Sequence, residues 1–438
     1  MRKNKVDIIT LGCSKNLVDS EQLMRQFQAN GYTVKHDPEK VNGEIVVVNT
    51  CGFIGDAQEE SINMILELEE AKKKGRIGQL IVMGCLSERF LKDLKKELTG
   101  VDRFYGKFNW KELMKDLGKS YYSDLSFDRL LSTPRHYAYV KIAEGCNRTC
   151  SYCSIPLITG QYQSKPIEEI EQEVRLLAIK GVKEFQMIAQ DLTYYGLDIY
   201  KRLALPELME RLSAIPGVEW LRLHYAYPAH FPYDLLHVMR EHANICSYLD
   251  IALQHISDPM LKRMRRNITK SETYELIKRI RREVPGIHLR TTLMVGHPGE
   301  TDQDFDELVQ FVKEMRFERM GAFAYSHEAD TYSFRHYEDT IPMEVKQERL
   351  DYLMQIQENI SGELNEKKVG HTFKTIIDRE EEDFYIGRTE FDSPEVDPEI
   401  LVSKEKPLKI GYFYPVSIQE AEAFDLYGKV QPPIETVR

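Results

Sequence analysis

The chain has 438 residues, 42% of them apolar and 29% charged, with a formal net charge of −11. That length carries about two to four domains with real cores and excludes fibrous and disordered classes. The acidic balance disfavours broad nonspecific nucleic-acid binding, which needs clustered Lys and Arg, while leaving room for a local basic groove. Seven cysteines, with no secretion signal and no apolar run near the ~20 residues that span a bilayer, point to metal or redox chemistry in a reducing compartment. A soluble cytoplasmic protein is expected, with no membrane contact.

Residues 1–118 read as alternating strand and helix. Strands at 6–11, 44–49 and 80–83 are each followed by a helix, beginning near Val18, Ala57 and Glu88, which predicts a doubly wound parallel sheet. Each strand runs straight into a cysteine: Leu11-Gly-Cys13, Asn49-Thr-Cys51 and Met83-Gly-Cys85. Ligands of open parallel sheets bind at the carboxyl ends of the strands, so three thiols converge on one edge. A single buried thiol is ordinary core; three at equivalent positions, each near a helix N-terminus, favour one shared iron–sulfur cluster. Asn16 and Asp19 fit helix capping better than a place beside that cluster.

A polar linker, 119–136, carries the turn signal Ser132-Thr-Pro134. From 137 to 369 a strand and helix rhythm repeats about six times, with strands at 137–142, 184–189, 220–223, 248–253, 289–295 and 321–324. This predicts a partial (β/α)6 barrel with its chemistry at the carboxyl ends of the strands. A long amphipathic helix from about Met343 to Lys367 closes the unit, and Gly370 ends it. Residues 370–438 alternate in short strands with turns, as in a small antiparallel β-barrel. No Walker loop, no G-x-G-x-x-G opening a helix and no H-E-x-x-H occurs.

Directly after the first barrel strand comes Cys146-Asn-Arg-Thr-Cys150-Ser-Tyr-Cys153. Three thiolates at this spacing can hold three irons of a four-iron cluster and leave the fourth open to a ligand. The competing reading is zinc, which takes four Cys or His ligands; no fourth is evident here. Gly296-His-Pro-Gly299-Glu300 offers bare backbone to a ligand. Gln190, Asp191, His224, Gln254, His255 and Arg290 lie at or near strand ends, where binding a ribose or carboxylate and simply satisfying the core are equally consistent with the pattern. Cys246 reads as a core residue.

The three-cysteine loop resembles the C-x3-C-x-aromatic-C motif of radical S-adenosylmethionine (SAM) enzymes. The chain resembles methylthiotransferases from end to end, and among them the RimO type that modifies a ribosomal protein. The segments that carry this likeness are Thr10-Leu-Gly-Cys-Ser-Lys-Asn-Leu-Val-Asp-Ser-Glu21, Asn49-Thr-Cys-Gly-Phe-Ile54, Gly84-Cys-Leu-Ser-Glu-Arg89, Lys141-Ile-Ala-Glu-Gly-Cys146, Gln190-Asp-Leu-Thr193, Asp250-Ile-Ala-Leu-Gln-His-Ile-Ser257, Gly296-His-Pro-Gly-Glu-Thr301 and Tyr325-Ser-His-Glu328.

The resemblance implies an N-terminal cluster domain, a radical SAM domain and a C-terminal TRAM barrel. It implies two 4Fe-4S clusters, one on Cys13, Cys51 and Cys85 and one on Cys146, Cys150 and Cys153 with an open iron for SAM. The expected SAM contacts are Tyr152, at the position that packs by adenine, with Gln190, Gln254, Arg290, Gly296 and Glu300. SAM would serve twice, as methyl donor and as radical source, and a methylthio group would reach the β-carbon of an aspartate in small-subunit ribosomal protein twelve. A reductant such as flavodoxin or ferredoxin and a sulfur donor are implied partners, and a monomer is expected.

Sister enzymes modify an adenosine of tRNA, and a noncatalytic zinc-containing ribosome or RNA binding module is a third reading. Between Gly370 and Arg438 there are 15 Asp plus Glu against 8 Lys plus Arg. An acidic TRAM surface is expected to repel phosphate and attract a basic ribosomal protein, although Glu380-Glu-Glu-Asp383 also reads as a plain solvated loop.

Overall fold

The computed structural model describes residues 1–125 and 127–431. Its first sheet holds β1 (Arg2–Thr10), β2 (Thr33–His36), β3 (Gly43–Thr50), β4 (Gln79–Gly84) and β5 (Arg103–Phe104), in the order β2-β1-β3-β4-β5. All pairings are parallel. Apolar runs such as Ile45–Val48 make the middle strands buried on both faces, with one core cluster on each side. β2 and β5 carry no apolar run: β2 is half exposed and β5 only two residues long, so pattern alone does not announce them. The strand order reverses between β1 and β3, the topological switch point at which such sheets bind ligands.

The central unit begins with β6 (Tyr137–Lys141), followed by a two-residue ladder of β7 (Ala143–Glu144) against β8 (Gln163–Ser164). Then come β9 (Glu184–Ile188), β10 (Trp220–Ala226), β11 (Ile245–Ile251), β12 (His288–Val295) and β13 (Arg319–Ala324). These six long strands form one parallel sheet in the order β13-β12-β11-β10-β9-β6, the partial barrel that the pattern predicts. Its core is one continuous cluster running from Ala138 to Ile360. The helix Met343–Glu366 packs against β13 and closes that edge.

The C-terminal unit is a closed barrel of β14 (Thr372–Glu380), β15 (Phe384–Thr389), β16 (Ile400–Ser403), β17 (Phe413–Ala421) and β18 (Leu426–Val430). All its pairings are antiparallel except that of β16 with β18. No helix among the described residues is long and apolar enough to cross a membrane.

Two joints fix the units to one another. Residues 119–136, polar enough to read as a loose linker, form a seam instead: buried Arg129 pairs with Glu21 of the first domain and Glu173 of the second, and donates to the Tyr139 carbonyl at 2.6 Å. At the other joint, β14, β15 and the β15–β16 segment reach the amino ends of the barrel strands. Arg388 pairs with Glu184 (2.7 Å), Asp392 with Arg319, Asp397 with Arg290 and Asp378 with His136, while Glu395 accepts from the Tyr137 and Tyr139 hydroxyls. Glu390 accepts from the Ser247 backbone N–H.

This corrects the charge reading of the C-terminal barrel. Five of its acids, Asp378, Glu390, Asp392, Glu395 and Asp397, are engaged by the central barrel. They are not a free acidic face. The exposed run Glu380–Asp383 remains, but Lys404 and Arg379 pair with Glu380 and Glu381.

Candidate active site between two thiol triads

The first triad sits at the switch point. Cys13 occupies the N-cap of the helix Ser14–Ala29, Cys51 follows β3, and Cys85 opens the helix Cys85–Glu97. Gly12 and Gly84 precede Cys13 and Cys85 with φ of +90° and +102°, a region that L side chains rarely adopt. A Cβ on Gly12 would stand 2.7 Å from the Cys51 Cβ, and one on Gly84 2.4 Å from the Asn49 Oδ1. Only glycine lets these turns press together.

Asn16 and Asp19 do not cap the helix, which has no side-chain cap. The Asn16 amide donates to the carbonyls of Leu11 (3.0 Å) and Thr50 (3.1 Å), and its Oδ1 lies 3.5 Å from the Cys85 Sγ and 3.3 Å from the Lys107 Nζ. Asp19 binds two buried cations, Lys107 at 2.7 Å and Lys141 of β6. Both residues brace the thiols and the domain joint, because partners distant in sequence outcompete the local backbone.

Burial pushes the Cys85 thiol up to about 12, against the pull of Lys107, and raises Cys51 as well. At Cys13 burial also acts upward, but Lys15, Lys107 and the backbone N–H groups of Asn16 and Lys15 outweigh it, and the net shift is downward. Cys13 is nonetheless exposed. A thiol both surrounded and exposed lines an internal space.

The second triad lies on the loop between β7 and β8, over the barrel mouth. The Arg148 N–H lies 3.4 Å from the Cys146 Sγ, and its side chain pairs with Asp191 at 2.7 Å. Arg266 donates to the Cys150 Sγ at 3.3 Å and to the Tyr152 hydroxyl at 3.4 Å, sits 4.2 Å from the Tyr227 ring centroid, and binds the Ala252 carbonyl. Burial raises Cys146 to about 11 and raises Cys153 too. Such N–H donors and cations are what a buried thiolate needs. Among the described residues no three His, Cys, Asp or Glu side chains are placed to hold one metal ion.

The two triads face each other. The Ser154 hydroxyl, next to Cys153, donates to the Phe53 carbonyl two residues beyond Cys51 at 3.1 Å. Glu328, just after β13, accepts from the Gly55 N–H and the Gln58 amide, both at 2.9 Å, and pairs with Arg89 at 3.2 Å.

The expected SAM contacts divide. Tyr152 packs by Met260, Met264, Met294 and Tyr325 at the mouth. Gln190 is half-buried just past β9. Gln254 is buried with φ of +70°, and its Oε1 has no hydrogen-bond partner. Arg266 Nε is likewise buried without a hydrogen-bond partner among the described residues, whereas His255 Nε2 faces the Glu300 carboxylate at 3.5 Å. Around Gly296 the space is filled: a Cβ there would meet the Lys346 Cγ at 2.3 Å. Glu300 accepts from the Gly296 N–H (2.9 Å) and pairs with Arg349 (2.6 Å), so this turn supports the mouth from behind.

Arg290 is a correction. It lies near the start of β12, pairs with Asp397 at 2.5 Å and donates to the Val396 carbonyl. It therefore belongs to the joint with the C-terminal barrel, at the end of the strand away from the thiols. His224 bonds Gln186 at 2.7 Å, Asp191 holds Arg148, and Cys246 is buried in the core. Sequence reading missed Lys107 and Arg266, which sit among many basic residues with no spacing to mark them.

A parallel barrel carrying this thiol loop defines the radical SAM class, and the Radical SAM superfamily matches residues 140–312. Uncharacterized protein family UPF0004 matches residues 5–106, and the TRAM domain residues 369–430. A solved radical S-adenosylmethionine methyltransferase, TsrM from Kitasatospora setae, shares the fold with a TM-score of 0.53 at 15% identity, over 74% of this chain and 75% of that one. A protein named ribosomal protein uS12 methylthiotransferase RimO, from Parabacteroides distasonis, is 78% identical over 98% of this chain and 100% of its own length. Proteins of the same name from Porphyromonas gingivalis (strain ATCC 33277) and Cytophaga hutchinsonii are 66% and 53% identical, over 98% of this chain and 100% and 98% of their own lengths. The chain belongs to the RimO family of methylthiotransferases.

Proposed function

We propose that this enzyme inserts sulfur at the β-carbon of an aspartate in ribosomal protein uS12 and delivers it as a methylthio group. The observation that carries the reading is the approach of two thiol triads from two domains, joined by the Ser154 hydrogen bond to Phe53 and the Glu328 contacts with Gly55, Gln58 and Arg89. Cys13, Cys51 and Cys85 would hold one 4Fe-4S cluster, and Cys146, Cys150 and Cys153 the other, with SAM at the second. When bound, these groups supply the electron, the carbon-centred radical, the sulfur and the methyl group.

The protein's own part is positional and electrostatic. Arg266 and the Arg148 N–H direct donors at the sulfurs of Cys150 and Cys146, stabilising thiolate in a site where burial opposes it. Lys107 does the same for the first triad by Coulombic attraction, held in place by Asp19. Tyr152 and the methionines beside it form an apolar seat suited to adenine, and the unpartnered Gln254 Oε1 is an acceptor for a SAM hydroxyl or ammonium. Glu328 and Ser154 hold the first domain over the mouth and so keep water from the reacting atoms.

Mass spectrometry of uS12 and of bulk tRNA tests the reading, after anaerobic incubation with reconstituted enzyme, SAM, sulfide and a strong reductant. The expected result is a methylthio mass gain confined to one aspartate of uS12. A gain on tRNA adenosine alone would replace the protein substrate with a nucleic acid.

A further inference from the structure

Lys15 stands out among the buried cations around the two triads. Lys107 and Lys141 pair with Asp19, Arg148 pairs with Asp191, and Arg266 binds the Ala252 carbonyl. Lys15 is only 5% exposed, yet among the described residues it has no acid or carbonyl partner. Its ammonium rests on an aromatic face, 3.2 Å from the Tyr225 ring centroid. A cation–π contact satisfies an ammonium only in part, which leaves its N–H groups available to an anionic ligand.

The platform under Lys15 is itself unusual. Tyr225 has φ of +64°, a conformation that is a genuine outlier for a bulky residue and that clusters at functional sites. It lies where the pairing of β10 with β11 slips register between Leu223 and Ala226, the kind of irregularity that re-aims a side chain beside an active site. The Tyr225 N–H donates to Asp250 at 3.3 Å, a buried carboxylate that feels the Lys15 charge through space but forms no ion pair with it among the described residues. His224, the other titratable neighbour, is held neutral by burial and by the surrounding cations. Two residues before Lys15 is Cys13, the exposed thiol of the first triad.

We infer that the Lys15 ammonium, seated on Tyr225, receives the side-chain carboxylate of the target aspartate and thereby sets the enzyme's preference for an acidic residue. The inference rests on the proposed uS12 reading and names the residue that recognises the substrate's defining group. The carboxylate is the anionic group that an aspartate side chain carries and an adenine base lacks. An ammonium two residues from Cys13 holds that carboxylate, and with it the adjacent β-carbon, at the edge of the sulfur-bearing triad.

The test is a double-substitution cycle with full-length reconstituted enzyme. Labelled uS12, unsubstituted or with its target Asp changed to Asn, is titrated against wild-type, K15M, K15Q and K15R enzymes by fluorescence anisotropy without reductant. The kcat/KM for methylthio addition is measured in parallel. Iron content and the thermal midpoint of each variant report that it is folded and loaded.

K15M and K15Q are expected to weaken binding of unsubstituted uS12 roughly 30-fold or more, with K15R retaining most of it. The Asn substrate, already weak, should lose almost nothing further on the same substitutions. A Lys15 that only supports the fold would weaken both substrates alike, and that result overturns the inference, as does unchanged binding by K15M. If wild-type enzyme adds no methylthio group to uS12, the family-based reading falls first and the inference falls with it.

Discussion

At the amino end of the central barrel, Arg222 and Arg388 share Glu184, Arg319 meets Asp392 and Arg290 meets Asp397. At the carboxyl end, Gln254 Oε1 and Arg266 Nε are buried without hydrogen-bond partners among the described residues, and Lys15 rests on the Tyr225 ring with no ion pair among them. Both ends of one sheet are polar, but at the first the acids are saturated with cations from within the chain, while the second keeps capacity in reserve. That pairing marks the first as structural, since acids already neutralised by neighbouring arginines have little left to offer a ligand, even though Arg319 Nε there makes no hydrogen bond among the described residues. The reserve at the second is where parallel barrels place their chemistry.

Breaking the saturated end should have the largest effect on stability. Arg388→Met leaves Glu184 and Asp378 short of their shared cation inside the protein, and loss of one partner of such a network costs about 3–5 kcal/mol. A fall in the thermal midpoint, with the C-terminal barrel becoming protease-sensitive, would establish this; an unchanged midpoint would show that the joint is ornamental.

Acid should loosen the same joint. Burial acts to raise Asp378, but Arg388 and the hydrogen bond from His136 outweigh it and hold the carboxyl down at about 2. Asp392 and Glu184 are depressed by the arginines beside them as well. A folded-state pKa below the unfolded value adds stability that is complete above about pH 4 and disappears as the pH falls toward 2, about 2 kcal/mol for Asp378 alone. Thermal midpoints between pH 5 and 2.5 should therefore fall more steeply for the wild type than for Asp378→Asn.

At the unsaturated end the effect should be on chemistry. Arg266→Met removes the donor to the Cys150 Sγ, and loss of a group that orients a metal ligand typically costs about 10–100-fold in affinity or activity. SAM cleavage should drop by that factor while the thermal midpoint moves little. The smallest effect is expected at the exposed hairpin: changing Glu380–Asp383 to amides should shift uS12 affinity by about threefold or less at physiological salt, because its charges are solvated and partly paired.

Much of this was legible in advance. Strands that end in cysteine announced the first triad, because a parallel strand places whatever follows it at the carboxyl edge, and the spacing of Cys146, Cys150 and Cys153 announced the second. Arg290 was misplaced because residue type and a strand's approximate extent do not say which end a long side chain serves. Charge counting misjudged the C-terminal barrel for a similar reason, since a sum treats Asp392, paired with Arg319 in the interior, and Glu382 in solvent as equals. Asn16 and Asp19 have the chemistry of capping residues, and only the arrival of Lys107 and Lys141 from distant segments turned them to another use. Lys15 lay inside a recognised segment, but a lysine's lack of a partner is visible only in three dimensions.

In the proposed reaction the two thiol triads are separate and hold one cluster each. Iron and sulfide quantitation with Mössbauer spectroscopy, on anaerobically reconstituted wild type, C13A/C51A/C85A and C146A/C150A/C153A, tests it most directly. Each triple variant is predicted to keep about half of the wild-type iron as an intact four-iron cluster, and only the variant retaining Cys146, Cys150 and Cys153 should still cleave SAM. Full iron in either variant, or zinc in place of iron, would overturn the assignment of one cluster to each triad.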